Sequence, residues 1–227
     1  MKTNFIKTAN VKALATALNR VHTLNPKSNR MALVFGEHGL GKTEAIINYQ
    51  ANTKDVVMLR VKALVSPRWL LTDLVTELGE QPLYRTAALF NQAREQLTQH
   101  PRLVIVDEAD YLLRDSRCIE TLRDLHDTTL SSICIVGMGL IDKKLNQYKH
   151  LVDRFAEKVK LTPLPLSDIK TIAAENCSVR ISDDAAEYLH RTDPRWRWIV
   201  QTLEHAERIA QVNGLKEITA AHLMSRK

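Results

Sequence analysis

Gly36-Glu37-His38-Gly39-Leu40-Gly41-Lys42-Thr43 follows the apolar run Met31-Ala32-Leu33-Val34-Phe35 and leads into residues 43–52, whose apolar positions recur at helical spacing. The octet matches G-x-x-x-x-G-K-[ST] at every fixed position, between a strand and a helix, which is the context this motif requires. Glycines let the backbone curl until successive N–H groups face an anion, and the helix that follows aims its positive end at the same point. The reading is a phosphate-binding loop for ATP with Mg²⁺. Its candidate contacts are Gly36, Glu37, His38, Gly39, Leu40, Gly41, Lys42, Thr43 and Glu44, with Lys42 reaching the β- and γ-phosphates and the Thr43 hydroxyl offered to the metal.

Outward from that loop, residues 31–35, 56–61, 103–106 and 133–136 are short apolar runs with the look of buried parallel strands, and a weaker run spans 156–161. Helical patterns at 43–52, 67–78, 84–100 and 116–129 separate them, and residues 11–24 form a preceding amphipathic helix with Val11, Leu14, Leu18 and Val21 on one face. This alternation predicts an α/β fold, a three-layer core on a parallel sheet. At Leu161-Thr162-Pro163-Leu164-Pro165-Leu166 two prolines oppose continuous helix. A domain junction is expected there, giving a nucleotide-binding core over 1–162, with its N-terminal helix at about 9–24, and a small all-α lid over 163–227. Ser167, Ser182, Asp193 and Thr219 are the expected N-caps of about four lid helices, with Pro194 in a first helical position.

A second acidic element lies at the end of the 103–106 run, which passes straight into Asp107-Glu108. A buried strand that ends in two acids can deliver one to a metal and the next to water. Asp107 is therefore assigned to Mg²⁺ and Glu108 to the attacking water, which favours a hydrolytic ATPase over a simple nucleotide binder. Asp110, Arg114, Asp115, Arg117, Glu120, Arg123 and Asp124 are most simply a solvated helical face or a subunit contact.

Lys and Arg outnumber Asp and Glu by 32 to 26, a formal charge of +6, so polyanions are favoured wherever the excess is clustered. Apolar residues make up 44% of the chain, too many for a disordered polymer, yet no segment approaches the roughly 20 consecutive apolar residues that span a bilayer. The opening residues lack the apolar stretch of a secretory signal, so a cytoplasmic protein without membrane contact is expected. Cys118, Cys134 and Cys177 are odd in number and widely spaced, which suits reduced thiols, with Cys134 in the core.

The Walker A octet, Asp107-Glu108, the run ending at Gly137, Asp153-Arg154-Phe155 and Asp193-Pro194-Arg195 in a helical tail together resemble the AAA+ ATPases. Within them, the compact size, the Val136-Gly137-Met138-Gly139 turn and the stretch ending at Phe155 are most similar to the transposition-regulator group of Mu B, TnsC and TniB. The resemblance implies an ATP-dependent, sequence-tolerant DNA-binding ATPase that forms a homo-oligomer, as a helical filament or ring, on double-stranded DNA. Such proteins select the target and stimulate a transposase. It further implies Arg154 as an arginine finger supplied to a neighbouring subunit, the alternative being a surface pair with Asp153 or Glu157. Arg195 is implied as a lid residue at the phosphates, with Arg197 as its rival, while Trp196 and Trp198 read as packing residues. A polar sensor would stand where this chain has Gly137 and Met138, so that role departs from the pattern. DNA contacts are implied at 60–68 and 82–86, and hence at Lys62, Arg68, Arg85 and Thr86, as phosphate contacts without sequence information. A helper ATPase of the helicase-loader or IstB type, acting on a partner protein, is the alternative function.

Overall fold

A computed structural model describes residues 4–25, 28–129 and 131–224. Residues 1–3 and 225–227, the outer ends of the two expected domains, lie outside the described residues. The chain divides into two compact units, one built from 13–37 and 42–161, the other from 38–41, 162–227 and 1–12 within their described parts.

The elements run α1 (Ala9–Thr23), β1 (Met31–Phe35), α2 (Lys42–Asn52), β2 (Val56–Arg60), α3 (Pro67–Glu77), α4 (Thr86–Gln99) and β3 (Leu103–Asp107). After a 3₁₀ turn (Ala109–Arg114) come α5 (Ser116–Thr128), β4 (Ser132–Gly137), α6 (Ile141–Leu145), α7 (Lys149–Val152) and β5 (Phe155–Lys160). The helical unit then holds α8 (Leu166–Asn176), β6 (Arg180–Ile181), α9 (Asp183–Thr192), α10 (Trp196–Asn213), β7 (Glu217–Ile218) and α11 (Ala220–Met224).

In the α/β unit the five strands are all parallel, in the order β2-β3-β4-β1-β5. Composition explains the order. β3 and β4 are buried at every position and β1 at all but its last, so they need neighbours on both sides, whereas the edge strands β2 and β5 alternate between inward and outward residues. Because the chain leaves β1 for the far edge, β3 and β4 are inserted beside it. The carboxyl ends of β1, β4 and β3 therefore share one edge of the sheet, where ligands of open α/β sheets bind. Register fixes the neighbours there, with Phe35 opposite Gly137 and Arg60 opposite Asp107.

Local chemistry sets the helix boundaries in this unit. The Ser66 Oγ accepts the Trp69 N–H at 3.3 Å and Pro67 occupies the first turn of α3, while the Asp115 side chain caps α5 through the Arg117 N–H. On α1 the buried stripe is Leu14, Ala17, Leu18 and Val21, and Val11 is only half-buried. Cys118 and Cys134 are buried and all three thiols are free, with burial pushing the Cys118 thiol up to about 11.

The helical unit packs Ile6, Leu164, Ile169, Leu189, Ile199 and Leu203 into its own core. It is not made of helices alone, since β6 and β7 pair in parallel through Arg180–Glu217 and Ile181–Ile218. Two of the expected caps are displaced. α8 starts at Leu166 behind Pro165, so Ser167 lies inside it, and α10 starts at Trp196 behind Arg195. For α10 the cause is Leu164, whose side chain is buried and whose N–H donates to the Pro194 carbonyl at 2.8 Å, which holds Asp193-Pro194 outside the helix. Among the described residues no helix is long and apolar enough to cross a membrane.

Candidate nucleotide site

In the α/β unit the two acidic and basic motifs meet at the carboxyl edge of the sheet. Lys42 opens α2, and its Nζ donates to the carbonyls of Gly36 at 2.7 Å and Glu37 at 2.8 Å. Burial draws this ammonium below the ordinary lysine range, opposed by the carboxylates of Asp107, Glu108, Asp110 and Glu37. Beside it the Thr43 hydroxyl donates to Asp107 Oδ2 at 2.7 Å, and the Glu108 N–H donates to Asp107 Oδ1 at 2.9 Å. Asp107, 1% exposed, thus has a partner on each oxygen, as a buried carboxylate requires.

Glu108 takes the left-handed conformation at φ 57°, which costs an L-residue roughly 1–2 kcal/mol. Strain of this kind at a non-glycine position clusters at functional sites. The twist starts the 3₁₀ turn and leaves the Glu108 carboxylate partly exposed, 3.7 Å from the Arg60 guanidinium.

The tip of the loop, residues 38–41, belongs to the helical unit. There the Arg197 N–H donates to the Gly39 carbonyl at 3.0 Å, and an Arg195 guanidinium nitrogen meets His38 Nε2. Arg195 also grips both oxygens of Asp193 through its Nε, at 2.7 and 2.9 Å, which holds the Asp193 carboxyl below the usual carboxylate range. Gly41 sits at φ +83°, and a Cβ there would stand 3.3 Å from the Trp196 ring, so both conformation and space call for glycine. Trp196 and Trp198 are half-buried against the helical core, in keeping with packing residues.

The donors suit magnesium with a nucleotide. A threonine hydroxyl and a buried carboxylate are hard oxygen ligands of the kind Mg²⁺ uses together with phosphate oxygens. Among the described residues no group of three or more His, Cys, Asp or Glu side chains could hold a metal, so Thr43 and Asp107 would be shared with a triphosphate.

Several features were not visible from motifs. Asp110 does not lie on a solvated face: its Oδ2 accepts the Met138 N–H at 2.6 Å, at the end of β4. Its sequence signal was the repeated acid in Asp107-Glu108-Ala109-Asp110, three residues apart across one tight turn. Of the other charges of that stretch, Arg117 pairs with Asp115 and Arg123 with Glu120 and Asp124, whereas Arg114 donates to the distant Ala63 carbonyl at 3.2 Å. Arg154 pairs neither with Asp153 nor with Glu157; it donates from Nε and Nη2 to Asp127 at 3.2 and 2.9 Å and from Nη1 to the His150 carbonyl. Glu157 is taken by Arg20.

Lys62, Arg68, Arg85 and Thr86 are all exposed. Lys62 lines a shallow cleft with Arg60, Trp69 and Asp73. Arg68 stacks 4.6 Å above the Tyr84 ring, which joins the 82–86 segment to α3, and Tyr84 itself is 81% exposed. Arg85 precedes α4 without capping it through its side chain, and Thr86 is the first residue of that helix.

Residues 24–145 match the family described as AAA domain. The chain is 29% identical over 177 residues to an "ATP-dependent target DNA activator B" of Escherichia phage D108, and equally to its namesake in Escherichia phage Mu. These alignments cover 74% of this chain and 55% of each relative, so the chain spans about half the length of the curated relatives it matches. Among solved structures, the Aeropyrum pernix ORC2 protein in ADPNP–ADP complexes superposes with a TM-score of 0.74 at 14% identity, covering 99% of this chain and 68% of its own. At that identity the likeness concerns the fold.

Proposed function

The chain belongs to the AAA domain family, and from that premise we propose that it is an ATPase which assembles on duplex DNA in the cytoplasm and regulates transposition. The observation that carries the nucleotide part is the hydrogen bond from Thr43 to Asp107, which brings the end of the phosphate loop to the acidic strand end. Thr43 and Asp107 hold Mg²⁺, and Lys42 binds the β- and γ-phosphates. The metal, when bound, withdraws charge from the phosphate oxygens. Glu108, partly exposed beside the buried Asp107, orients the attacking water and accepts its proton. In the helical unit Arg195 meets His38 at the tip of the phosphate loop.

Similarity to the two phage activators supports the transposition reading, with a transposase as partner, and Arg154 then acts in trans within a homo-oligomer. The exposed cations Lys62, Arg68 and Arg85 with Thr86 bind phosphates of the DNA backbone, which makes the affinity tolerant of sequence. ATP serves as an assembly ligand, since whatever binds the polymer preferentially stabilises it. Negative-stain microscopy with Mg-ATP and bare duplex DNA tests this: the expected result is continuous protein-coated duplex. Bare DNA under those conditions, with assembly only when a partner protein is added, would support a loader instead.

A further inference from the structure

The end of β4 has a construction that the nucleotide-binding motifs do not explain. Its last residue is Gly137, and Met138 follows with its N–H directed at Asp110 Oδ2, 2.6 Å away. The donor is a neutral amide and the acceptor a carboxylate, so this is the stronger, charge-assisted class of hydrogen bond. Gly137 is what makes room for it. A Cβ at that position would stand 2.7 Å from the same Asp110 oxygen and would also collide with the Ile141 Cδ1, and Ile141 is fully buried with little freedom to yield.

On the other side of the turn the Met138 Sδ lies 4.0 Å from Lys42 Nζ. Two of the three Lys42 donors are already directed at the Gly36 and Glu37 carbonyls, so the thioether forms a further wall around the ammonium. A continuous set of contacts therefore runs from Asp110, on the turn after the acidic strand, through the Met138 main chain and side chain, to the phosphate-loop lysine.

We infer that Asp110 is a positioning residue for Lys42: by clamping the Met138 amide it fixes the Gly137-Met138-Gly139 turn, and that turn sets where the Lys42 ammonium rests. The inference rests on the nucleotide reading given above. It assigns the strand-end role to a main-chain turn held by a remote carboxylate, in a chain that has no polar side chain at Gly137 or Met138.

Three variants and two readouts test it. Hydrogen exchange at the Met138 amide, measured without nucleotide, reads the clamp directly; affinity for a non-hydrolysable Mg-ATP analogue reads its consequence at Lys42. Asp110→Ala should lose protection at Met138 and bind the analogue about tenfold more weakly, the scale of one lost hydrogen bond to a charged group, with a smaller change in kcat than in KM. Asp110→Asn, which keeps an acceptor oxygen, should restore both, and Gly137→Ala should reproduce Asp110→Ala by displacing the carboxylate. If Asp110→Ala lowers only the melting temperature and leaves Met138 exchange and analogue affinity unchanged, the inference is overturned. Failure of the wild type to bind the analogue would instead remove the nucleotide reading, a separable result because Met138 exchange is read without nucleotide.

Discussion

The Thr43 hydroxyl donates to Oδ2 of Asp107 across 2.7 Å, while Oδ1 of the same carboxylate accepts the Glu108 N–H at 2.9 Å. One buried carboxylate thus orders both the first turn of α2 and the start of the strained turn after β3. With its hydrogen directed at Asp107, the Thr43 oxygen has lone pairs left for a cation. Thr43→Ala is expected to weaken Mg-ATP binding by about tenfold or more while leaving metal-free ATP binding little changed, and Thr43→Ser should stay close to wild type. Titration of a fluorescent ATP analogue with magnesium and with chelator distinguishes these. Equal losses in both conditions would take Thr43 out of the metal site.

Glu108 holds a left-handed backbone that glycine would adopt without strain. Replacement by glycine therefore removes the side chain without straining the turn. Glu108→Gly should keep or raise the melting temperature and lower hydrolysis about 10²-fold or more, the usual worth of a positioned general base. Glu108→Gln should bind ATP normally and give longer-lived DNA complexes. A hydrolysis rate unchanged in Glu108→Gln would assign the water to another residue.

Arg154 is held by Asp127 in a pair whose side chains are 30% and 35% exposed. Such pairs contribute about 0.2–1 kcal/mol, little enough for a neighbouring subunit to displace. Arg154→Ala should leave ATP binding by the monomer intact and cut turnover in assemblies by about 10³-fold, whereas Asp127→Asn should not lower it. Measuring ATPase rate against protein concentration checks both, and assemblies of Arg154→Ala as active as wild type would refute a finger in trans.

Lys62 and Arg85 precede α3 and α4 respectively, and both are exposed. The Lys62→Ala and Arg85→Ala double variant should reduce the slope of log affinity against log salt by about two, close to one unit per phosphate contact. An unaltered slope would put the DNA on another surface.

Much of this architecture is legible in the sequence because its signals are local. The phosphate loop is recognised by residue type at fixed spacing, and β3 by an apolar run that stops at Asp107. What stayed hidden depends on distant partners. Arg154 meets Asp127, not the neighbouring acids, because α5 and the start of β5 converge only in the folded sheet. Asp110 looked like one more surface acid until the β4 end was placed beside it, and its best hint, the absence of a side chain at Gly137, has meaning only with that geometry known. The cap of α10 shifted for the same kind of reason: the Leu164 N–H donates to the Pro194 carbonyl from far along the chain. The two-residue strands β6 and β7 are too short for any alternation to announce them.

Isothermal calorimetry with Mg-ATP, comparing the wild type with Lys42→Ala, bears most directly on the nucleotide site. Lys42 donates to the loop carbonyls and faces the carboxylates of Asp107 and Asp110, so its removal takes away the cation assigned to the phosphates. The account predicts saturable heat at one site per chain for the wild type and none for Lys42→Ala. Absence of heat from the wild type, or equal affinity in the two proteins, would contradict it.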